Sequence, residues 1–238
     1  MYAYSIKVDL NNSKTQLCEL GSKYETTKSP FLDFNLNNNL ERRECNSYTP
    51  FYNFLFSSLK YKKINFGEIG IYKNGSMKMW RDYFPNANLY GWDCKPESAD
   101  EPRYRVVDFV EKAKKDNLIN VSYDYMDVRG EESISRALGK TKCKFDILID
   151  DSDHEFWSQI KVIRSAPNYL NPGSFLIIED VNYTVTPEYS FARYIEEISR
   201  YGHDVYYDSI LKVNTKHFKE TTRHPNSCLI VLTRNNFN

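Results

Sequence analysis

Two short apolar runs of this chain end abruptly in acids. Lys144-Phe145-Asp146-Ile147-Leu148-Ile149 runs into Asp150-Asp151-Ser152-Asp153-His154, and Phe175-Leu176-Ile177-Ile178 runs into Glu179-Asp180. Apolar runs of that length, rich in Ile and bounded by Gly, Pro or charge, read as strands buried on both faces of a parallel sheet. Open α/β sheets bind ligands beyond the carboxyl ends of such strands. The two strands would bring Asp150, Asp151, Asp153, His154, Glu179 and Asp180 to one rim, where the acids repel unless a cation sits among them. Oxygen-rich sets suit hard cations such as Mg²⁺ or Mn²⁺. Two adjacent hydroxyls of a sugar or catechol would complete the shell, and the metal would lower the pKa of the reacting one. His154, titrating near neutral pH, would take the proton as general base. Asp151 and His154, three apart at a helix start, can share a face. The competing structural reading makes Asp151 or Asp153 a helix cap and His154 an ordinary solvated side chain.

A second constellation lies upstream. Glu68-x-Gly70, followed by Gly75-Ser76, puts glycines where a strand turns into a helix. Glycine there lets the backbone approach a ligand and adopt positive φ. Asp93 ends the next strand, where a carboxylate commonly grips a ribose diol. Both NAD and S-adenosylmethionine present that diol. A pyrophosphate loop wants G-x-G-x-x-G/A, whereas Tyr72 stands at the second glycine position of Gly70-Ile71-Tyr72-Lys73-Asn74-Gly75. Tyr72 would crowd a pyrophosphate, and Glu68 suits a cationic amino-acid tail, so the loop favours S-adenosylmethionine over NAD. The bland alternative makes Gly70 and Gly75 turn glycines and Asp93 a cap or loop acid.

These groups need a scaffold of alternating strands and helices. Residues 1–47 are polar and Asn-rich and read as an N-terminal extension with short helices, NLNNNLERREC being its least structured part. Pro50 opens the helix FYNFLFSSLK. Five strands follow: Ile64–Gly70, Asn88–Asp93, Ile119–Tyr123 (then Asp124), FDILID and FLIIED. They alternate with the helices MKMWRDYF, VVDFVEKAKKDN, EESISRALGK and WSQIKVIRSAPNYL, with a turn at Asn171-Pro172-Gly173. One more helix, FARYIEEISRYG, precedes two strand candidates, HDVYYDSI and SCLIVLTRN, with the spacing of an antiparallel hairpin at the sheet edge. The class is α/β with a mostly parallel sheet.

Composition narrows the function classes. Lys+Arg and Asp+Glu are 32 each, so no bulk field draws the chain to nucleic acid or anionic membrane. Cys18, Cys45, Cys94, Cys143 and Cys228 are scattered, without a CxxC pair, as expected in a reducing compartment and not in a disulfide scaffold. The N-terminus lacks the pattern of a secretory signal. No apolar run reaches the roughly 20 residues of a membrane span. The expectation is a cytoplasmic enzyme acting on a small molecule or glycan, with room for homo-oligomers. His203, His217 and His224 lie in polar stretches without paired acids and read as surface residues.

INFGEIGIYKNGSMKMWRDYFPNANLYGWDCKP, FDILIDDSDH and PGSFLIIEDV together resemble the class I S-adenosylmethionine-dependent methyltransferases. More specifically, they resemble the macrocin- and mycinamicin-type sugar O-methyltransferases, a family that includes proteins labelled cephalosporin hydroxylase. The likeness extends to LGSKYETTKSPF and SYTPFYNFL, and so covers most of the chain. It implies a Rossmann-like fold: a mostly parallel seven-stranded sheet, helices on both faces and an antiparallel C-terminal hairpin. Residues 1–58 would be a helical extension covering the active site, and residues 59–238 the S-adenosylmethionine-binding domain. The resemblance implies Asp151, Glu179 and Asp180 as ligands of Mg²⁺ or Mn²⁺, with His154 as base. It implies Glu68, Gly70, Gly75, Ser76 and Asp93 around the cofactor, Asp124 near its adenine and Asp150 near its methionine portion. Thr27-Lys28 and Tyr48-Thr49-Pro50 match a segment that folds over the site. Asp-Asp-Ser-Asp-His replaces the usual Asp-Asp-Gly-Ser-His, adding Asp153. The implied reaction is methyl transfer to a sugar hydroxyl of a glycan, sugar nucleotide or glycosylated metabolite. Other readings are methylation of a phosphoramidate or phosphonate on a surface polysaccharide, an NAD enzyme, or a non-catalytic binding module.

Overall fold

The computed structural model describes residues 1–9, 14–30, 46, 48–98, 105–181, 190–216 and 227–236. Its centre is a sheet of eight strands: β1 (Tyr2–Asp9), β2 (Asn65–Ile69), β3 (Asn88–Asp93), β4 (Val121–Tyr125), β5 (Phe145–Asp150), β6 (Leu170–Ile178), β7 (Tyr207–Lys216) and β8 (Ser227–Arg234). They lie in the order β1-β7-β8-β6-β5-β2-β3-β4, and only the pairings of β8 with β6 and β7 are antiparallel. Among the described residues, seven α-helices accompany the sheet: α1 (Gln16–Lys23), α2 (Tyr48–Phe56), α3 (Gly75–Tyr83), α4 (Phe109–Lys114), α5 (Glu131–Lys140), α6 (Phe156–Ser165) and α7 (Phe191–Arg200). Among the described residues, no helix is long and apolar enough to cross a membrane.

Each face of the sheet carries its own core, as the period-2 alternation of a doubly covered sheet requires. Phe66, Ile147 and Ile149 face α1, α2 and α3, packing with Tyr52, Phe56 and Trp80. Ile69, Trp92 and Leu148 face the other way, toward Ile134, Ile160 and Ile198 of α5, α6 and α7. The strands emerge between these layers at one rim, where β2, β3, β5 and β6 all end.

Three expectations shift. The N-terminal extension holds α1, but it also contributes β1, which pairs in parallel with β7 and makes an eighth strand. The C-terminal hairpin therefore does not form the sheet edge; β1 does. The third strand starts two residues later than expected, because Asn117 and Asn120 adopt left-handed φ of 50° and 57° and occupy a turn. Asp124 thus lies inside β4 and not beyond its end. The Asn171-Pro172-Gly173 turn sits within β6 as a bulge: the register jumps from Phe145↔Leu170 to Ile147↔Phe175, with Gly173 at φ 74°. The connection expected at 217–226, with His217 and His224, and the segment 35–45 lie outside the described residues.

Candidate active site at the sheet rim

The rim assembles because β2 and β5 are adjacent and parallel. Asp151 N–H bonds to the Ile69 carbonyl at 2.8 Å, and Glu179 N–H to the Asp150 carbonyl at 2.9 Å. These bonds set the ends of β2, β5 and β6 side by side. Gly70 is required by this closeness: with φ 87°, a Cβ there would lie 2.0 Å from the Asp151 carbonyl oxygen. Gly75 similarly admits the Tyr24 carbonyl, 2.6 Å from where its Cβ would be. Both glycines thus make room for neighbouring backbone of the protein itself.

Beyond the strands the backbone leaves its ordinary range. His154 has φ 60° and Asp180 φ 49°, while Tyr72 and Asn74 sit at 45° and 67°. Left-handed non-glycine residues cost about 1–3 kcal/mol each and concentrate at functional sites. Here they set side-chain direction. Asp151 and His154 meet through that left-handed turn and not on a helix face, since α6 starts only at Phe156. His154 Nε2 lies 3.1 Å from Asp151 Oδ1 and 3.8 Å from Asp180 Oδ2. Among the described residues these three can bring one ligand atom each within 4.8 Å of one another, a spacing that fits a shared cation. Burial alone would push the His154 ring down, yet its bond to Asp151 and the Asp180 and Asp150 charges hold it up at about 9. Asp180 Oδ1 is already occupied: the Tyr48 hydroxyl donates to it at 2.6 Å and the Asn46 amide at 2.8 Å. Its other oxygen faces His154.

Glu179 sits deeper. Its Oε1 accepts from the Tyr52 hydroxyl at 2.7 Å and its Oε2 from Lys28 Nζ at 2.6 Å. The same ammonium reaches Asp151 Oδ2 at 2.5 Å and lies 3.2 Å from Glu68 Oε1. Glu68 is wholly buried, with the Trp80 indole N–H 3.1 Å from its Oε2 and Ser76 hydrogen-bonded beside it. Burial drives Glu68 and Glu179 upward, and the Lys28 charge opposes it in both. Asp151 goes the other way: Lys28 and His154 outweigh its burial and hold it below the usual carboxylate range.

Asp150 is 1% exposed; its Oδ1 accepts from Ser152 Oγ at 2.6 Å, and its Oδ2 has no hydrogen-bond partner. Burial pushes this carboxyl up to about 7, against the opposing Ser152 bond. An orphaned buried acceptor at a strand end is a place for a ligand donor. Asp93 spends its oxygens on the N–H groups of Tyr72 (2.9 Å) and Cys94 (2.8 Å). Tyr72 turns its ring outward onto Phe109, centroids 4.9 Å apart. Asp124 forms a surface ion pair with Lys140 at 2.9 Å. The acid that does stand beyond β4 is Asp127, next to Met126, whose N–H bonds the Asp93 carbonyl at 3.0 Å. Asp153 serves α6, accepting from Glu155 N–H at 3.1 Å and Ser158 Oγ at 2.7 Å.

The structure therefore groups Asp150, Asp151, His154, Glu179 and Asp180 as the sequence implied, with Glu68 beneath them. Tyr52, which donates to Glu179, is a residue the sequence patterns leave out. Tyr52 was legible in principle, because Tyr48 and Tyr52 are four apart on a helix and share a face.

No family model matches the chain. It is similar to an O-methyltransferase of Streptomyces olivaceus, 8-demethyl-8-(2-methoxy-alpha-L-rhamnosyl)-tetracenomycin-C 3'-O-methyltransferase, at 29% identity over 61% of this chain and 35% of that protein. It is 28% identical to mycinamicin VI 2''-O-methyltransferase of Micromonospora griseorubida, over 71% of this chain and 36% of that one. The chain thus spans about a third of the length of these relatives. Among solved structures, MycE methyltransferase of the mycinamycin pathway, in complex with Mg, SAH and mycinamycin VI, matches with a TM-score of 0.61. That match has 21% identity and covers 94% of this chain and 56% of MycE. A methyltransferase from Pyrococcus furiosus matches with a TM-score of 0.51 at 17% identity, over 92% of this chain and 98% of that one. The fold is that of the S-adenosylmethionine-dependent methyltransferases, and the sequence relatives are sugar O-methyltransferases.

Proposed function

We propose that this chain is the catalytic domain of a divalent-metal-dependent O-methyltransferase that moves a methyl group from S-adenosylmethionine to a sugar hydroxyl. The observation that carries the proposal is one juxtaposition on this fold. The orphaned acceptor Asp150 Oδ2 lies at the end of β5, and the cation-spaced trio Asp151, His154 and Asp180 adjoins it. Asp150 would receive the cofactor's amino group, the turns at Gly70 and Gly75–Ser76 its methionine and sulfonium, and Asp93 its ribose. For the adenine the resemblance implies Asp124; its carboxylate meets Lys140, as that of Asp127 beyond β4 meets Arg129. Asp151 and Asp180 would hold the metal, with Glu179 as the third carboxylate that the family resemblance implies. Glu68 supports this cluster from below.

Bound there, the metal lowers the pKa of a coordinated hydroxyl, and S-adenosylmethionine supplies the methyl group. Transfer would break the carbon–sulfur bond as the carbon–oxygen bond formed, leaving S-adenosylhomocysteine, and His154 Nε2 would take the hydroxyl proton. With Asp151 and Asp180 holding a cation, the charges that raise His154 would be offset and its imidazole would be available as base. Lys28, Asn46, Tyr48 and Tyr52 reach the site from the N-terminal segment, which supports reading residues 1–58 as its cover. The acceptor is a glycan, sugar nucleotide or glycosylated metabolite, with polysaccharide modification one setting. The scattered cysteines, without a CxxC pair, accord with a cytoplasmic enzyme, and homo-oligomerisation belongs to the same proposal.

Calorimetric titration with S-adenosylhomocysteine, with and without Mg²⁺ and alongside NADH, tests the reading. Micromolar binding of the homocysteine compound with NADH silent is expected. Binding of NADH alone would overturn the assignment of the Gly70–Gly75 loop.

A further inference from the structure

We infer that Lys28 is a positioning residue: a resident cation that holds Glu68, Asp151 and Glu179 in one buried cluster and so presets the rim for its ligands. The inference rests on the metal-site reading above for what the rim binds, but its own evidence is geometric. Lys28 is 2% exposed, and its ammonium lies 3.2, 2.5 and 2.6 Å from oxygens of those three acids. The acids come from β2 and from the segments after β5 and β6, while Lys28 comes from the covering segment. The Lys28 carbonyl in turn accepts from the N–H groups of Tyr48 and Thr49, each at 3.1 Å, which fixes the start of α2.

Three carboxylates this close repel one another in a low-dielectric setting. Other donors meet part of the demand. Tyr52 serves Glu179, while Trp80 and Ser76 serve Glu68, but all three are neutral. Lys28 supplies the charge. It also divides the work on Asp151: Oδ2 is held by the ammonium, leaving Oδ1 toward His154. One side chain thus joins the acid of the cofactor-side strand, Glu68, to the acids of the metal side.

The consequence is that a divalent ion and Lys28 share the task of neutralising the rim. Without Lys28 the acids would depend on the metal for their closed arrangement. The test compares thermal unfolding of the full chain as wild type, K28M, K28R and K28M/E68Q, each with EDTA and with millimolar Mn²⁺.

Removing one partner of a buried charge cluster should lower the melting temperature of K28M by about 10 °C in EDTA. K28M/E68Q, with the net charge restored, should regain at least half of that loss, and K28R should stay above K28M. Mn²⁺ should raise the melting temperature of K28M by more than it raises that of wild type. A double variant no more stable than K28M, or unfolded with it, would show a packing role only and overturn the inference. Where wild type does bind Mn²⁺, equal Mn²⁺ shifts in K28M and wild type would overturn it too. If wild type binds neither Mn²⁺ nor S-adenosylhomocysteine, the methyl-transfer reading falls, while recovery in K28M/E68Q still decides on Lys28.

Discussion

The acids of the rim fall into two halves that the sequence presents as one kind. In the inner half, Glu68 and Glu179 are wholly buried and face Lys28, Tyr52, Trp80 and Ser76. In the outer half, Asp151 Oδ1 and Asp180 Oδ2 are partly open and, among the described residues, face the His154 ring. The inner acids meet most of their demand within the protein, with Glu68 Oε1 facing the Lys28 ammonium at 3.2 Å without a hydrogen bond. The outer ones keep acceptor capacity for something not made of protein. Burial by itself therefore does not mark a reactive carboxylate; what counts is whether the chain has already supplied its donors.

That contrast is broken most sharply by H154A. If the outer half does the chemistry, H154A lowers the single-turnover rate of methyl transfer by about 10²–10⁴-fold, the usual worth of a positioned base. S-adenosylhomocysteine affinity should stay within a few-fold of wild type, measured by calorimetry. Undiminished turnover would move the base elsewhere.

Asp150 stands between the halves, buried like the inner acids yet with one oxygen unserved. Its folded pKa, raised by burial to about 7, lies above the ordinary carboxylate value. A raised pKa means that the protonated form is favoured in the folded state. Its contribution is full below about pH 4 and is lost as pH rises through about 7, worth on the order of a few kcal/mol. Urea unfolding of metal-free protein should show a component of stability that falls from pH 5 to pH 8 and disappears in D150N. An unchanged pH profile in D150N would mean that the orphaned oxygen is hydrated.

Y52F probes the inner half alone. It leaves Glu179 Oε1 without its donor, which should cost about 1–3 kcal/mol. In a chain of this size that is roughly 2–12 °C in melting temperature. Metal affinity should move less than in D180N, since Tyr52 serves the buried oxygen. A larger metal effect in Y52F than in D180N would reverse the division into halves.

How much of this could be read from the sequence follows the same line. β5 and β6 were plain because central parallel strands are apolar throughout and end where the ligand rim starts. β1 was missed although Tyr2, Tyr4, Ile6 and Val8 alternate, because an edge strand keeps much of that face exposed and looks like polar extension. β4 slid by two residues because Asn117 and Asn120 look like ordinary loop residues until their left-handed φ is seen. The outer trio was legible from Asp-x-x-His and Glu-Asp, although through the wrong local geometry. Lys28 could be placed near the site only by resemblance; its pairing with three acids from three distant segments is a tertiary fact that no local pattern carries.

The smallest effect concerns the acid that departs from the family's pattern. Read in sequence, Asp153 adds a third carboxylate to a metal motif. In the structure both of its oxygens are spent at the start of α6, on Glu155 N–H and Ser158 Oγ, so it belongs with the helix and not with the rim. D153A should then cost about 1 kcal/mol, as loss of a helix-start acceptor does. Mn²⁺ affinity should remain within about twofold, because both Asp153 oxygens are engaged by Glu155 N–H and Ser158 Oγ and neither is a ligand. The measurement is paired urea unfolding and Mn²⁺ titration of D153A and D180N. If D153A lost metal as D180N does, the outer half would have to be widened to include it. The added acid would then be a departure in chemistry and not only in helix capping.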